Sequence, residues 1–232
     1  MYYFVLGAKK DFSCTDRKFA ANLNLPFFTP EEHFQGLPKS SKFSWGDFDP
    51  RTLDYSKTAP TIEPTSAMLH STTQEVVIFV GCPASGKSTF FVKFMKPKGY
   101  IHINRDTLGS WQKCVAECDK VLLAGKSAVI DNTSPDKESR LRYTEVARKH
   151  KVPVRCFQFM TTIAHAKHNN RFRELTLKSS KHAKVNDMVF NTYKSKFSEP
   201  VLGEGFSEIV KIHFTPSLDN DHHAQLYMSF LD

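Results

Sequence analysis

The sequence predicts an α/β fold, in which a parallel sheet carries helices on both faces. From Glu75 onward, short apolar segments of strand character alternate with longer segments of helical periodicity, which is typical of this class. The first apolar segment, residues 76–80, leads directly into Gly-Cys-Pro-Ala-Ser-Gly-Lys-Ser at residues 81–88, the order of strand, phosphate-binding loop and helix. A chain of 232 residues with 40% hydrophobic residues is long enough to bury the core of such a domain.

The loop supplies the first candidate site residues. Its backbone N–H groups are predicted to surround phosphate oxygens, and glycine at positions 81 and 86 permits that close approach. Lys87 is predicted to reach the outer phosphates and Ser88 to ligate Mg²⁺, while the following helix, over 88–96, directs its positive end at the same anion. The alternative is a glycine turn between a buried strand and a helix. The predicted nucleotide contacts are Gly81, Cys82, Pro83, Ala84, Ser85, Gly86, Lys87, Ser88 and Thr89.

The elements after the loop follow from the same patterns. A strand is predicted over 100–104, one long helix over 107–124, and a buried strand over 127–130. Ser134 is predicted to cap the next helix, with Pro135 at its first position and its end near residue 150. The remaining predictions are a strand over 153–159, helices over 163–177 and 185–197 joined by a basic connector, and closing strands over 209–214 and 226–230.

Residues 1–74 are not predicted to form a domain by themselves. One helix is predicted to reach residue 25, and Thr29-Pro30-Glu31-Glu32 indicates a capping box that opens a short second helix. Residues 36–72 are rich in Pro, Ser, Thr and Asp, which is typical of a linker. Asp47 and Asp49 lie in a loop with no apolar strand before it, so a turn is predicted there instead of a catalytic carboxylate pair.

Composition restricts the classes of partner. The apolar run at residues 2–6 is shorter than the core of a signal peptide, and no later run is long enough to span a bilayer, so no membrane partner is predicted. Five cysteines without framework spacing predict reduced thiols in an intracellular compartment. Cys114 and Cys118 are interpreted as core residues, because no second pair of His or Cys lies near enough in the sequence to complete a metal site.

The net charge of +8 is concentrated in one part of the chain. Residues 1–74 hold eight basic and eight acidic residues, so the excess lies in residues 75–232. Between positions 137 and 196 there are fifteen Lys and Arg residues against four Asp and Glu residues. Such a field attracts phosphates and predicts a polyanionic ligand. Solvated helix faces are the alternative interpretation.

Charged side chains follow the predicted strands at the edge of the sheet where ligands of open α/β folds bind. Asp106 is predicted to accept the proton of an attacking hydroxyl, with an N-cap as the alternative role. Asp131 ends an apolar strand and is predicted to hold the Mg²⁺ shell, with a capping or turn role as the alternative. Positive charge for the γ-phosphate is expected from Lys167, Arg171 and Arg173, or these are solvated surface residues.

A GTPase is disfavoured by the absence of an Asn-Lys-X-Asp string, which reads guanine. The sequence of residues 106–109 fits the Asp-X-X-Gly motif of a GTPase switch. However, a helical pattern follows directly, with no glutamine to orient a water molecule. The residues therefore predict a kinase or a module that binds nucleotide without turnover.

Four strings of sequence carry a resemblance to a known family: residues 81–90, 100–111, 130–136 and 168–174. The last three read Tyr-Ile-His-Ile-Asn-Arg-Asp-Thr-Leu-Gly-Ser-Trp, Ile-Asp-Asn-Thr-Ser-Pro-Asp and His-Asn-Asn-Arg-Phe-Arg-Glu. The likeness extends through residues 187–189 and 204–207 and covers most of 75–215. These strings closely resemble the kinase domain of the eukaryotic bifunctional polynucleotide kinase 3′-phosphatases.

The resemblance implies transfer of the γ-phosphate of ATP, with Mg²⁺, to the 5′-hydroxyl of nucleic acid ends in strand-break repair, DNA being preferred to RNA. It implies that Asp106 is the general base, that Lys87 and Ser88 serve the phosphates, and that Arg171 is the lid arginine. Arg105 and Arg142 would face the DNA. It further implies a monomer in the nucleus, or alternatively in the mitochondrion, with repair scaffold proteins as partners.

The start of the chain resembles the same family in truncated form. Residues 9–14 and 25–27 are similar to the end of its phosphatase domain of haloacid-dehalogenase type. The Asp-X-Asp-Gly-Thr nucleophile motif is not in the sequence, and Gly7-Ala8 stands where a metal-binding Gly-Asp string is expected, so no 3′-phosphatase activity is predicted. Lys184 stands where relatives commonly carry proline. The predicted domains are a phosphatase remnant over 1–35, a linker over 36–74 and a P-loop kinase domain over 75–232.

Two other functions fit parts of the same sequence. A P-loop kinase of a small metabolite would share the residues at the strand ends but has no use for the basic region. A scaffold that binds nucleotide and DNA ends without turnover is the second alternative.

Overall fold

The computed structural model describes residues 14–41, 43–57, 59–176, 185–218 and 220–231. The chain divides into two compact units, one made of residues 1–53 with 218–232 and the other of residues 54–217. The predicted boundaries at residues 35 and 74 stay a prediction. Some predictions concern residues outside the described ranges. These are residues 2–13, the basic connector and Lys184.

The larger unit is built on a six-stranded, mostly parallel sheet with the strand order β1-β6-β5-β2-β4-β3. All neighbouring strands are parallel except β1, which pairs antiparallel with β6. The predicted α/β class with a parallel sheet is confirmed. The strands are β1 (Ile62–Glu63), β2 (Val76–Val80), β3 (Ile101–Ile103), β4 (Ala128–Ile130), β5 (Val154–Phe159) and β6 (Glu208–Ile212).

Strand β2 lies inside the sheet and is fully buried, which explains its unbroken apolar run. Its alternate side chains enter two cores. Val76, Ile78 and Val80 belong to one core, which also contains Cys114 and Cys118, and Val77 and Phe79 belong to the other. Helices therefore cover both faces of the sheet, and the interpretation of the two cysteines as core residues is confirmed.

Each helix of the larger unit has bounds close to those predicted, with three corrections given below. The helices are α3 (Lys87–Phe90), α4 (Arg105–Leu108), α5 (Trp111–Leu123), α6 (Lys137–Lys149), α7 (Ile163–Thr176) and α8 (Asp187–Lys196).

The helix after the phosphate-binding loop is less regular than predicted. Helix α3 covers only one turn, and a π-helical turn at Phe91–Met95 and a 3₁₀ turn at Lys96–Lys98 follow it. Gly99, with φ of 82°, ends the segment in the left-handed region. π-helical turns recur at functional sites.

The single long helix predicted over 107–124 is wrong, because the chain breaks at Gly109. Its φ of 84° is left-handed, which ends α4. Ser110 then takes an extended conformation, and its side chain accepts a hydrogen bond from the Lys113 N–H as the N-cap of α5. Because of this break, Asp106 lies in the short helix α4, separate from α5.

The predicted start of α6 at Ser134 and Pro135 is also wrong. Asp136 is the N-cap, and its carboxylate accepts from the Ser139 N–H at 2.7 Å. Ser134 is buried with φ of 43°, and its hydroxyl has no hydrogen-bond partner among the described residues. Asp136 takes the cap because its extended backbone and its carboxylate meet the first turn in a reciprocal capping box.

The smaller unit contains helices α1 (Thr15–Asn22), α2 (Pro30–Phe34) and α9 (Asp221–Met228). The capping box of α2 is confirmed, since Thr29 and Glu32 exchange side-chain and backbone hydrogen bonds of 3.2 and 3.0 Å. The strand predicted over 226–230 is wrong. Asn220 caps a helix there, its side chain accepting from His223 N–H at 2.9 Å. The sheet edge beside β6 is occupied by β1 instead.

The segment predicted as a linker carries structure of its own. Within it, β1 joins the sheet, which corrects the expectation of a strand-free surface segment. Asp49 caps a 3₁₀ turn at Pro50–Thr52 and also binds the Arg51 guanidinium, so its structural role is confirmed. Among the described residues, none of the helices is both long and apolar enough to cross a membrane.

Candidate active site

The loop between β2 and α3 forms a compact cradle around the Lys87 ammonium. Lys87 is 8% exposed, and its Nζ donates to the Gly81 carbonyl, the Cys82 carbonyl and the Ser85 hydroxyl at 3.0, 2.7 and 3.2 Å. An ammonium has three N–H donors, so all three are satisfied within the loop. Phosphate oxygens that bind Lys87 must therefore replace one or more of these acceptors.

Glycine is required at both ends of the cradle. A Cβ atom at position 81 would lie 2.9 Å from Phe159 Cβ and from the Ser85 hydroxyl. Gly86 has φ of 93°, and Ala84 shares this left-handed region with φ of 58°. Successive N–H groups in alternating right- and left-handed residues point into one concavity, which is how such loops bind anions.

Neighbouring elements hold the loop from two sides. Asn169 on α7 donates to the Ala84 carbonyl at 3.0 Å, and the Thr161 hydroxyl donates to the Ser85 carbonyl at 3.1 Å. The Gly81 N–H donates to Thr133 O at 3.1 Å, beyond the end of β4. The carbonyls that turn away from the concavity are thus paired, and the N–H groups keep their direction.

Ser88 and Asp131 meet at the carboxyl ends of β2 and β4. The Ser88 hydroxyl donates to Asp131 Oδ2 at 2.6 Å, and the same oxygen lies 2.9 Å from His102 Nε2. Asp131 is buried, with 6% of its surface exposed. A hydroxyl and a buried carboxylate beside a phosphate-binding loop are hard oxygen ligands of the kind that Mg²⁺ prefers. Across the described residues, no group of three His, Cys, Asp or Glu side chains forms a metal cage.

Asp106 lies in the first turn of α4 and is exposed. Asn104 is the N-cap of this helix and accepts from the Thr107 N–H at 2.8 Å, so the alternative role of Asp106 as the N-cap is wrong. Asn132 accepts from the Arg105 N–H at 2.9 Å and donates to the Tyr143 hydroxyl at 3.1 Å. The helix that carries Asp106 is thereby tied to the end of β4.

The charges of these residues act on one another. Burial lowers the pKa of Lys87, whereas the charges of Asp131, Cys82 and Asp106 raise it, in that order of effect. Asp106 also acts on Arg173, whose pKa is lowered by burial and raised by Glu174 and Asp106. The charge of Asp106 thus acts on both Lys87 and Arg173, although the three residues are separate in the sequence.

The three basic residues predicted to face the γ-phosphate have different surroundings. Lys167 forms an ion pair of 2.7 Å with Asp187 on α8. Arg171, the lid arginine implied by the resemblance, is half-exposed and lies 3.2 Å from Glu174 on its own helix. Arg173 is the arginine whose charge interacts with Asp106. The roles of Lys167, Arg171 and Arg173 at the γ-phosphate stay predictions.

The two predicted DNA-facing arginines flank the same region. Arg105 is exposed beside Asp106. Arg142 on α6 lies over the Trp111 ring, 4.3 Å from its centroid, and pairs with Glu138 at 2.7 Å. Trp111 is 40% exposed. An indole with a guanidinium on its face is a surface on which nucleobases stack.

Sequence reasoning missed four residues that support the site: His102, Asn132, Thr161 and Asn169. Only His102 gave a usable signal. It is the one polar residue in the Ile-His-Ile strand, and alternation places it on the opposite face from its neighbours. The others act through hydrogen bonds to groups distant in sequence, which no local pattern indicates.

Two family models match the chain. One, described as polynucleotide kinase 3 phosphatase, matches residues 5–34, and the other, described as an AAA domain, matches residues 108–200. The first match falls on the predicted phosphatase-like segment. The second extends from α5 to α8, and so it includes Asp131 and Arg173.

Two named relatives match nearly the whole chain. A protein of Acanthamoeba polyphaga mimivirus, named "Putative bifunctional polynucleotide phosphatase/kinase", is 35% identical over 227 residues, 95% of this chain and 53% of its own length. The bifunctional polynucleotide phosphatase/kinase of Schizosaccharomyces pombe is 33% identical over 211 residues, 90% of this chain and 49% of its own length. Over nearly its whole length the chain is similar to bifunctional polynucleotide phosphatase/kinases. It spans about half the length of these relatives, and the predicted family resemblance is confirmed.

Solved structures show a weaker likeness. A gluconokinase from Sinorhizobium meliloti 1021 matches with a TM-score of 0.46 and 14% identity, over 70% of this chain and 91% of its own. This likeness is too weak to bear on function.

Proposed function

We propose that the chain is an ATP-dependent polynucleotide 5′-hydroxyl kinase. The observation that carries this proposal is the placement of Lys87, Asp106 and the Ser88–Asp131 pair just beyond the carboxyl ends of β2, β3 and β4, in a chain similar to polynucleotide phosphatase/kinases. The loop binds the β-phosphate and γ-phosphate, and the exposed Asp106 carboxylate lies on the helix that Asn132 ties to the end of β4. A phosphate-binding loop and a nearby carboxylate are the minimum set of groups for transfer of a phosphoryl group to a hydroxyl.

The reaction is a direct in-line transfer. Asp106 accepts the proton of the 5′-hydroxyl, whose oxygen attacks the γ-phosphorus, and the bond from this phosphorus to the bridging oxygen breaks to release ADP. Lys87 and Arg173 balance negative charge on the transferring group. No covalent enzyme intermediate forms.

Mg²⁺ fits the donor set at Ser88 and Asp131. It is commonly bound by one or two carboxylates together with nucleotide phosphates, so a cage of several carboxylates is not required. When bound, Mg²⁺ neutralises charge on the β- and γ-phosphates. The chain's own part is to hold the Asp131 carboxylate and the Ser88 hydroxyl together at 2.6 Å.

The experiment incubates the protein with γ-labelled ATP and an oligonucleotide with a 5′-hydroxyl. Label is expected on this oligonucleotide and not on the same sequence with a 5′-phosphate. Binding of ATP and of the oligonucleotide without transfer would instead support the scaffold function. Transfer to a small hydroxylated metabolite, with none to DNA, would support a metabolite kinase.

Salt dependence separates a nucleic acid kinase from a metabolite kinase. Raising the salt from 50 to 200 mM is expected to increase KM for the oligonucleotide about ten-fold, as about two neutralised phosphates would require. The basic region between positions 137 and 196 motivates this prediction. Steady-state kinetics with ATP held saturating measures it, and a KM that does not change with salt would contradict a polyanionic substrate.

Arg173 is expected to matter more than Arg171 for transfer. Arg173→Gln removes a charge that interacts with Asp106, whereas Arg171→Gln removes one that pairs with Glu174. We expect Arg173→Gln to lower kcat at least ten-fold more than Arg171→Gln, a difference of about 1.4 kcal/mol in the barrier. Single-turnover rates at saturating ATP compare the two variants. The reverse order would support Arg171 as the lid arginine.

The finer assignments are part of the same proposal. A DNA preference, a role in strand-break repair, a nuclear location, scaffold partners and a monomeric state are inferred from the resemblance. We also propose that these 232 residues have no 3′-phosphatase activity, because the nucleophile motif is not in them. Release of phosphate from a 3′-phosphorylated oligonucleotide would contradict this.

A further inference from the structure

His102 is the one side chain on β3 that reaches the Ser88–Asp131 pair. Its Nε2 lies 2.9 Å from Asp131 Oδ2, the oxygen that also accepts from Ser88. The three side chains form an unbroken chain from a strand, through a buried carboxylate, to the first turn of α3. None of the predicted site roles includes His102.

The direction of the His102 bond follows from the acceptor. An ionised carboxylate has no proton to donate, so the hydrogen between the two groups belongs to His102 Nε2. Asp131 Oδ2 thus accepts two hydrogen bonds, one from the imidazole and one from the Ser88 hydroxyl. Because both donors bind Oδ2, they fix the plane of the carboxylate. Neither of these two bonds involves Oδ1.

The imidazole is itself held in place. Its ring stacks on Phe91, with centroids 4.2 Å apart and planes inclined by 17°. Phe91 is buried and begins the π-helical turn that follows α3. The ring therefore has a packed face and a hydrogen-bonded edge, which restricts its rotation about both side-chain torsions. Because the stacking partner follows the phosphate-binding loop directly, the histidine also links Asp131 to that loop.

We propose that His102 is a positioning residue that orients the Asp131 carboxylate for the Mg²⁺ of bound nucleotide. This inference rests on the proposed function, because it concerns the metal of the same nucleotide site. Hydrogen-bond partners of ligating carboxylates tune metal affinity, and their loss typically costs 10- to 100-fold. His102 touches neither the nucleotide nor the reacting hydroxyl in this role, so its effect is on metal affinity.

Two substitutions separate the hydrogen bond from the ring contact. His102→Phe retains an aromatic ring to stack on Phe91 but has no donor. His102→Gln loses the ring but places an amide N–H at a reach similar to that of Nε2. His102→Asn has the same amide on a shorter side chain, so its N–H does not reach Asp131 Oδ2. It serves as a second variant without this hydrogen bond should the phenylalanine variant unfold.

The structure offers a matched control in another histidine–aspartate pair. His150 Nε2 lies 2.8 Å from Asp119 Oδ1, and both residues are remote from the phosphate-binding loop in the sequence. His150 is the C-cap of α6, and Asp119 lies within α5. His150→Phe removes a bond of the same kind and length. It is expected to leave Mg²⁺ dependence within two-fold of the unsubstituted protein.

The experiment titrates a non-hydrolysable ATP analogue by calorimetry at a series of MgCl₂ concentrations and in EDTA. The Mg²⁺ midpoint is the Mg²⁺ concentration at which nucleotide affinity has made half of its total increase. His102→Phe and His102→Asn are expected to raise this midpoint ten-fold or more. His102→Gln is expected to stay within about three-fold. Affinity in EDTA is expected to change less than two-fold in all variants, since His102 does not contact the phosphates.

An unchanged Mg²⁺ midpoint in His102→Phe, or an equal shift in His150→Phe, would overturn the proposal. So would an unsubstituted protein whose nucleotide affinity is the same with and without Mg²⁺. The test needs no oligonucleotide. A protein that binds nucleotide with Mg²⁺ as expected, yet transfers no phosphate, would contradict the kinase function and leave the role of His102 supported.

Discussion

Replacing Asp106 with alanine is expected to lower kcat for 5′-phosphorylation by about 10²- to 10⁴-fold, the usual contribution of a general base. The carboxylate is exposed at the start of α4, so its loss leaves the core intact. Nucleotide affinity is expected to change little, because Lys87, Ser88 and the loop N–H groups hold the phosphates. Single-turnover transfer from labelled ATP measures the rate, and calorimetry measures the affinity.

Two further variants make the test of Asp106 specific. Asp106→Asn retains the size of the side chain but cannot accept the proton, so it is expected to lose activity as Asp106→Ala does. Glu145→Gln neutralises an exposed carboxylate on α6 and is expected to leave the rate within two-fold. A fully active Asp106→Ala variant would remove the general-base assignment and require another acceptor for the proton.

Replacing Arg140 with methionine is expected to lower the free energy of unfolding of the larger unit by about 3–5 kcal/mol. Arg140 is fully buried and binds both oxygens of Glu204, with Nε–O and Nη2–O distances of 2.8 Å. Its Nη1 donates to the carbonyls of Ser134, Pro135 and Ser198 at 3.1–3.2 Å. Removal of the guanidinium leaves the buried Glu204 carboxylate without its charged partner and takes a donor from three carbonyl oxygens, of which Pro135 O keeps the Ser198 N–H. Each buried group that loses a partner costs desolvation energy.

The measurement exploits the placement of the two tryptophans. Trp45 lies in the smaller unit and Trp111 in the larger, so a Trp45→Phe background lets fluorescence report urea unfolding of the larger unit alone. Glu138→Gln is the control, because it removes a 2.7 Å ion pair with Arg142 on the surface of the same helix. That pair is 81% exposed at Glu138 and is expected to contribute less than about 1 kcal/mol.

A double substitution tests whether the loss of stability in Arg140→Met arises from the unpaired charge of Glu204. Arg140→Met combined with Glu204→Leu removes both charges, and buried pairs replaced together by apolar residues are often nearly neutral. The double variant is therefore expected to be more stable than Arg140→Met alone. Equal stability of the single and double variants would show that the backbone carbonyls, and not Glu204, are responsible for the loss.

Part of the site could be predicted because its residues are contiguous. The strand, the loop and Ser88 lie within thirteen positions of one another, and strand β2 is recognisable by its unbroken apolar run. Asp106 and Asp131 were also predictable, since the carboxyl ends of parallel strands lie at one edge of the sheet. These assignments needed no knowledge of which strands are neighbours.

The errors in secondary structure lie mainly at the ends of elements. At Gly109 a left-handed φ ends α4 although the helical pattern continues, and at Ser134 a left-handed φ delays the start of α6, which Asp136 caps instead. The segment 226–230 has β-compatible residues, but Asn220 caps a helix there and β1 already pairs with β6. Local patterns give the type of an element more reliably than its ends, which depend on single backbone torsions.

The sequence by itself determined the parallel α/β class, the phosphate-binding loop, the two strand-end carboxylates and the family resemblance, because each is a short local pattern. Only the tertiary structure decided that His102 shares an oxygen of Asp131 with Ser88, and that Asn132 ties the helix carrying Asp106 to the end of β4. It also decided that Arg140 pairs with Glu204, 64 positions away. Hydrogen bonds and ion pairs depend on distances of a few ångströms between side chains, and those distances exist only after the sheet has brought separate segments together.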